Sequence, residues 1–166
     1  MEYRTKDGIT IEEAPDFGED FYRDGYRVPS SGELNNYILG KAKKSACDIL
    51  QTNYTEYCDQ GLSFTYETVE YTISNTEKTS NEINKKITNV ALDIDDSFDW
   101  TMDLPRTKIT FADKASCLVF IKAVQAVIAS NETLLRDKKT DIDNYDLSQV
   151  ETFIATPNYP TYGRTV

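Results

Sequence analysis

From residue 33 to residue 60, apolar side chains recur at Leu34, Tyr37, Ile38, Ala42, Ala46, Ile49, Leu50, Tyr54 and Tyr57. This is the i, i+3, i+4 stripe of an amphipathic helix. Ser30-Ser31-Gly32-Glu33 has capping-box spacing with Pro29 just before it, and Gly61 is placed to stop the helix. The period then changes to two. Leu62–Tyr66 and Val69–Ile73 alternate and are rich in aromatic and β-branched residues, which marks strands. The alternation changes phase between Tyr66 and Val69, so a turn at Glu67-Thr68 and a short hairpin are expected. A single bulged strand is the alternative. Ile83, Ile87, Val90 and Ala91 give the polar stretch 75–91 one narrow helical stripe. Beyond it, Ile94, Phe98, Trp100, Met102 and Leu104 alternate with the acids Asp93, Asp95, Asp96, Asp99 and Asp103, the pattern of a half-buried strand with a charged outer face. Residues 105–107 turn, and 108–111 return as its partner.

The longest periodic segment runs from about 112 to 144 and is apolar nearly all round in its first half, through Ala115, Leu118, Val119, Ile121, Val124, Ala126, Val127 and Ile128. Such a helix is expected to be buried, in a core or between subunits. Its second half thins to Leu134, Leu135 and Ile142 among charges. About 33 residues at 1.5 Å rise make roughly 50 Å, more than a domain of this size needs. Residues 1–32 have no period. They set Tyr3, Phe17, Phe21, Tyr22 and Tyr26 among eight acids, with Gly and Pro spaced through them. An inert tail would be poor in aromatics, so an extended arm docking on its own core or on a neighbouring subunit is expected. The pattern therefore predicts an α+β fold in three parts: an acidic, aromatic arm at 1–32, a core at 33–145 ending in a long helix, and an extended Pro/Tyr tail at 146–166.

Composition narrows the function. The 166 residues suit about one domain with a core that needs no disulfide framework. A net charge of -10, from 28 acids against 18 bases, argues against nucleic acid and against an anionic membrane surface. The absence of histidine removes Ser-His-Asp and Cys-His machinery and the commonest zinc and iron ligands. Cys47, Cys58 and Cys117 are odd in number and lack metal spacing, so free thiols are expected. Cys47 and Cys58 on one helix would stand roughly 16 Å apart, beyond disulfide reach. Residues 1–11 lack the apolar segment of a signal peptide. The apolar run 117–129, broken by Lys122 and Gln125, is shorter than a bilayer span. The triplets Asn53-Tyr54-Thr55 and Asn131-Glu132-Thr133 fall in predicted helices and are not read as glycosylation sites. The expected site of action is a reducing cytoplasm or a particle assembled there.

No constellation in the chain carries catalysis. Counted from Asp93 as a calcium loop, the sharp-turn position is Phe98 and the twelfth position is Leu104, where glycine and glutamate are required. The acids at 93–103 are thus expected to form a solvated face, a weak Mg²⁺ or Ca²⁺ site on that face being the alternative. No pair of carboxylates is fixed at a glycosidase separation, and no Gly-rich phosphate loop occurs. No catalytic residue, metal ligand or cofactor is assigned. The residues expected to make interfaces are Phe17, Phe21, Tyr22 and Tyr26 of the arm and Leu118, Val124 and Ile128 of the long helix.

The order of elements carries one resemblance. A helix ends at Gly61-Leu62, and a Tyr-rich strand pair follows it. Asn75-Thr76-Glu77-Lys78 opens a helix that reaches Ile83. Trp100 leads through Lys108-Ile109-Thr110-Phe111-Ala112-Asp113 into a long helix, which finishes near Leu135-Arg136-Asp137-Lys138 and Ile142-Asp143. Over roughly residues 40–145 this resembles a domain of unknown function found in tailed bacteriophages, usually at the end of tail-fibre, baseplate or other virion proteins. The resemblance implies a non-enzymatic virion protein of tail, fibre or capsid surface, assembled in the host cytoplasm. Its partners would be other phage structural proteins and copies of itself. A phage-encoded binder capturing a host protein through the acidic face is the alternative. A small cation-dependent hydrolase using Asp95, Asp96 or Asp99 is a third.

Overall fold

The computed structural model describes residues 2–14, 25–94 and 98–166. The fold is α+β, and the chain divides into two compact units. Unit 1 comprises Met1–Asp48 and Ile142–Pro157; unit 2 comprises Ile49–Asp141 and Asn158–Val166.

Unit 1 opens with an antiparallel pair, β1 (Glu2–Arg4) and β2 (Glu12–Ala14), in the register Glu2↔Ala14, Tyr3↔Glu13, Arg4↔Glu12. Asp7 organises the connection: one carboxylate oxygen accepts from the backbone N–H groups of Ile9 and Thr10, both at 2.8 Å. Thr5 and Arg27 exchange both backbone hydrogen bonds, at 3.0 and 2.9 Å. α1 (Ser31–Asp59) begins with the capping box read from the sequence: Ser30 Oγ accepts from Glu33 N–H at 3.3 Å, and Glu33 accepts from Ser30 N–H at 2.7 Å. The described part of the 1–32 segment docks on its own unit, the first of the two destinations expected for it, but as a strand pair and not as a single extended arm. Its side chains explain the difference. Ile11 is buried, and Glu13 accepts from both Tyr37 Oη (2.6 Å) and Lys41 Nζ (2.7 Å), which binds β2 to α1.

A second correction concerns 146–166. α4 (Leu147–Ala155) occupies the first half of that span, capped reciprocally by Asp146 and Gln149. Val150 and Phe153, three residues apart, point inward and are buried with Ile142 and Ala46. Beyond the cap Thr156, residues 157–163 are in neither helix nor strand, which agrees with a Pro-bearing tail that does not continue the helix.

In unit 2, α1 ends where Gly61 adopts φ +70. β3 (Leu62–Tyr66) and β4 (Val69–Ile73) pair antiparallel from Leu62↔Ile73 to Tyr66↔Val69. Glu67 and Thr68 both take positive φ, 47 and 73, the geometry of a primed two-residue turn, so this is a hairpin and not a bulged strand. α2 (Glu77–Ala91) is capped by Thr76, whose side chain accepts from Thr79 N–H at 3.3 Å. β5 (Asp99–Met102) and β6 (Thr107–Thr110) pair antiparallel, Trp100 opposite Ile109. The expected strand over 93–104 is thus shorter. Leu92 caps α2 and Asp93 takes φ 55, so the alternation at 92–94 belongs to a helix end, with Leu92 and Ile94 exposed.

The hairpins join through single rungs. Thr72 N–H donates to Leu104 C=O (2.6 Å) and Asp103 N–H to Thr72 C=O (2.9 Å), which lays the chain just after β5 along β4. On the other side, Ser63 N–H donates to Arg164 C=O (2.7 Å) and Val166 N–H to Ser63 C=O (3.0 Å), so the tail runs parallel beside β3. α3 (Lys114–Asn144) supplies one side of the core. Its buried positions Cys117, Phe120, Ile121, Val124, Ile128, Asn131 and Leu135 follow a helical period. They meet Leu50, Leu62, Ile73, Ile83, Val90 and Met102, none more than 1% exposed, and Phe120 lies 4.5 Å from Phe64 and 4.9 Å from Phe111, ring centre to ring centre. The opposite side of α3 carries Ala115, Val119, Ala126 and Ala129 exposed, so the helix is one-sided and not buried all round. By length and composition alone α3 could cross a membrane. Its Phe120, Ile121, Val124, Ile128 and Leu135 are buried in this core, while Val119 and Leu134 are exposed.

Candidate functional site

The residues singled out from the sequence do not converge. Phe17, Phe21 and Tyr22 lie outside the described residues. Tyr26 is half-buried, its hydroxyl donating to Glu12 at 2.7 Å with the Lys6 ammonium 4.8 Å from the ring centre. Val124 is fully buried and Ile128 nearly so, while Leu118 is half-buried. Val124 and Ile128 are corrected from interface to core: the chain itself buries both.

The acidic run is also less bare than its spacing suggests. Asp99 is ion-paired with Lys108 and lies 3.8 Å from Lys86 Nζ. Asp93 is ion-paired with Lys114, and Asp103 accepts from Ser74 N–H. Asp95 and Asp96 lie outside the described residues. Three of the acids are thereby engaged with the chain itself. Among the described residues no group of three or more His, Cys, Asp or Glu is placed to share a metal ion. A cleft of about 370 Å³ opens between α2 and β5, lined by Lys85, Lys86, Asn89, Asp99 and Trp100. Cys58 accepts a weak hydrogen bond from Asn75 Nδ2 at 3.5 Å, and burial raises its thiol pKa.

The arrangement that does converge is a cradle for an extended peptide. α1 places Tyr54 and Tyr57 one turn apart; α3 places Asn131 on its buried face; the tail brings Tyr162, Gly163 and Arg164 to them. Asn131 Nδ2 donates to Gly163 C=O at 2.8 Å and to Tyr57 Oη at 2.6 Å, while Asn131 Oδ1 accepts from Gly163 N–H at 2.8 Å. Tyr57 Oη itself donates to Gly163 C=O. One side-chain amide therefore grips both the N–H and the C=O of one residue, which reads backbone and not side chain. The Tyr162 ring lies 5.1 Å from that of Tyr54 and 4.8 Å from that of Tyr57. The Arg164 guanidinium stands 5.4 Å from the Tyr57 ring centre, a cation–π distance. Burial raises the pKa of Tyr54, Tyr57 and Tyr162, so all three phenols are neutral near neutrality. The two backbone bonds between Ser63 and the tail complete the cradle.

This site escaped the sequence reading. Asn131 drew notice only through its Asn-Glu-Thr triplet. The available signal was its place in the period 117, 121, 124, 128, 131, 135, where a polar residue on an apolar face needs a partner. No protein-family model, curated protein or solved structure matches the chain.

Proposed function

We propose that the chain is a non-enzymatic structural protein of a tailed-bacteriophage virion, part of the tail, fibre or capsid surface, and that it works through contacts with other subunits. The observation that carries the reading is the docked tail. An extended segment seated by backbone pairing, one inserted aromatic ring and one side-chain amide is the physical form of an assembly element: main-chain bonds give affinity and the ring gives register. The order of elements from 40 to 145 supports the same reading. α1 ends at Gly61, the β3–β4 hairpin and α2 follow, and Trp100 leads through β6 into α3. The alternative, capture of a host protein by an acidic face, finds less support, because Asp93 and Asp99 are matched by lysines of the same chain.

Mass spectrometry of purified virions of the encoding phage tests the proposal. The chain is expected in fixed copy number relative to the major structural proteins. A chain absent from washed particles, soluble and recovered bound to a host protein, would turn the reading to the alternative.

A further inference from the structure

We infer that residues 158–166 of one copy dock on β3 and Asn131 of a second copy, so that neighbouring subunits exchange tails. This deepens the assembly reading above and rests on it, naming a second copy of the chain as the partner.

The cradle is demanding when empty. Asn131 is 1% exposed, and without the tail its amide oxygen would lose the Gly163 N–H, while Ser63 would lose both of its tail bonds. Asn131 is buried with the tail in place, so a copy whose own tail is elsewhere presents an amide and the Ser63 backbone groups ready to pair with another. The segment that fits is 158–166, and every copy carries it. The grip reads the backbone of Gly163 and the ring of Tyr162, and neither contact depends on which copy supplies them.

The linker suits exchange. Between the end of α4 at Ala155 and the buried Tyr162, Thr156 caps the helix and residues 157–161 belong to no helix or strand, with Pro157 and Pro160 each fixing φ near −65°. The six residues 156–161 can reach at most roughly 20 Å. Most of the tail outside Tyr162 stays exposed, including Thr161, Arg164 and Thr165, so little besides the cradle holds it to one copy. Exchange of an identical element is a low-cost route to assembly. Within one copy the tail competes at an effective concentration on the order of millimolar, so exchange becomes substantial only where subunits are packed to comparable density, as in a particle.

The test uses full-length chains with Cys47→Ser and Cys58→Ala, buried Cys117 being left in place. One chain carries Ser63→Cys and the other Thr165→Cys, positions paired across the β3–tail rung. Neighbouring strands stand about 4.8 Å apart, inside disulfide range. The two chains are mixed from about 10 μM to about 1 mM, oxidised mildly and resolved on non-reducing gels. A disulfide-linked heterodimer is expected, rising with concentration. Adding Asn131→Ala to the Ser63→Cys chain should cut its yield about tenfold, which chance collision would not do. A chain carrying both cysteines calibrates the chemistry. If it closes on itself while the mixture yields no heterodimer at any concentration, exchange is wrong. If it forms no bridge within or between chains, the docking of the tail on β3 is wrong. Either failure leaves the virion reading standing or falling on the particle analysis alone.

Discussion

Asn131 and Tyr162 sit in one cradle and should respond to truncation with opposite signs. Asn131→Ala leaves Gly163 N–H and Tyr57 Oη short of a partner, and it should lower stability by about 1–3 kcal/mol in urea titration. The Tyr162 hydroxyl is buried and has no hydrogen-bond partner among the described residues, so Tyr162→Phe should leave stability equal or raise it in the same assay. Glu33 gives a pH signature. Arg27, then the backbone N–H and the hydroxyl of Ser30, hold its carboxylate at about 2, against an ordinary value of 4.5. A depressed folded-state pKa stabilises the fold above the unfolded value and loses that contribution as pH falls through the folded one. The melting temperature of wild type should therefore exceed that of Glu33→Gln above about pH 4.5, and the gap should close as pH falls from 4.5 toward 2. A gap independent of pH would place the effect elsewhere. At this scale the sequence was partly legible. The Ser30/Glu33 box could be read because both halves lie in one short motif; the Asn131 grip could not, because Gly163 is 32 residues away.

Elements were more legible than their destinations. The phase change between Tyr66 and Val69 located the β3–β4 turn because alternation is strict on either side of it. The turn itself remains locally unfavourable: Thr68, a β-branched residue, holds φ 73. Thr68→Gly should remove that strain and stabilise the protein by about 1 kcal/mol, seen as a raised melting temperature, because glycine alone reaches this region without steric cost. α4 was lost because Pro157 and Pro160 dominate the end of the chain, although Asp146-x-x-Gln149 carried a start signal equal to that of α1. The strand at 93–104 was overlong because alternation of acids with apolar residues is ambiguous at a helix end, where Asp93 turns left-handed. For α3 the period gave burial correctly at Val124 and Ile128. It could not tell one's own core from a neighbour's, since periodicity reports that a face is covered and not by what.

For the whole molecule, the described part of the first 28 residues is structural. Arg4, Thr5 and Ile11 are buried, and Glu13 binds Tyr37 and Lys41. Deleting residues 1–28 should therefore destabilise unit 1, read as lost amide-exchange protection over residues 34–48, instead of leaving the melting temperature unchanged as an undocked arm would. The two units are also nested along the chain: 49–141 is enclosed by the segments of unit 1, and 158–166 returns to unit 2. No single cut in the coding sequence releases either unit whole. Truncations that pass residue 48 from the N-terminus or residue 158 from the C-terminus would thus remove part of both, and would report one region essential after another. An expression clone spanning only 49–141 would lack the strand beside Ser63. Dissecting this protein needs spliced genes, with residues 158–166 rejoined to 49–141 through a short designed connector.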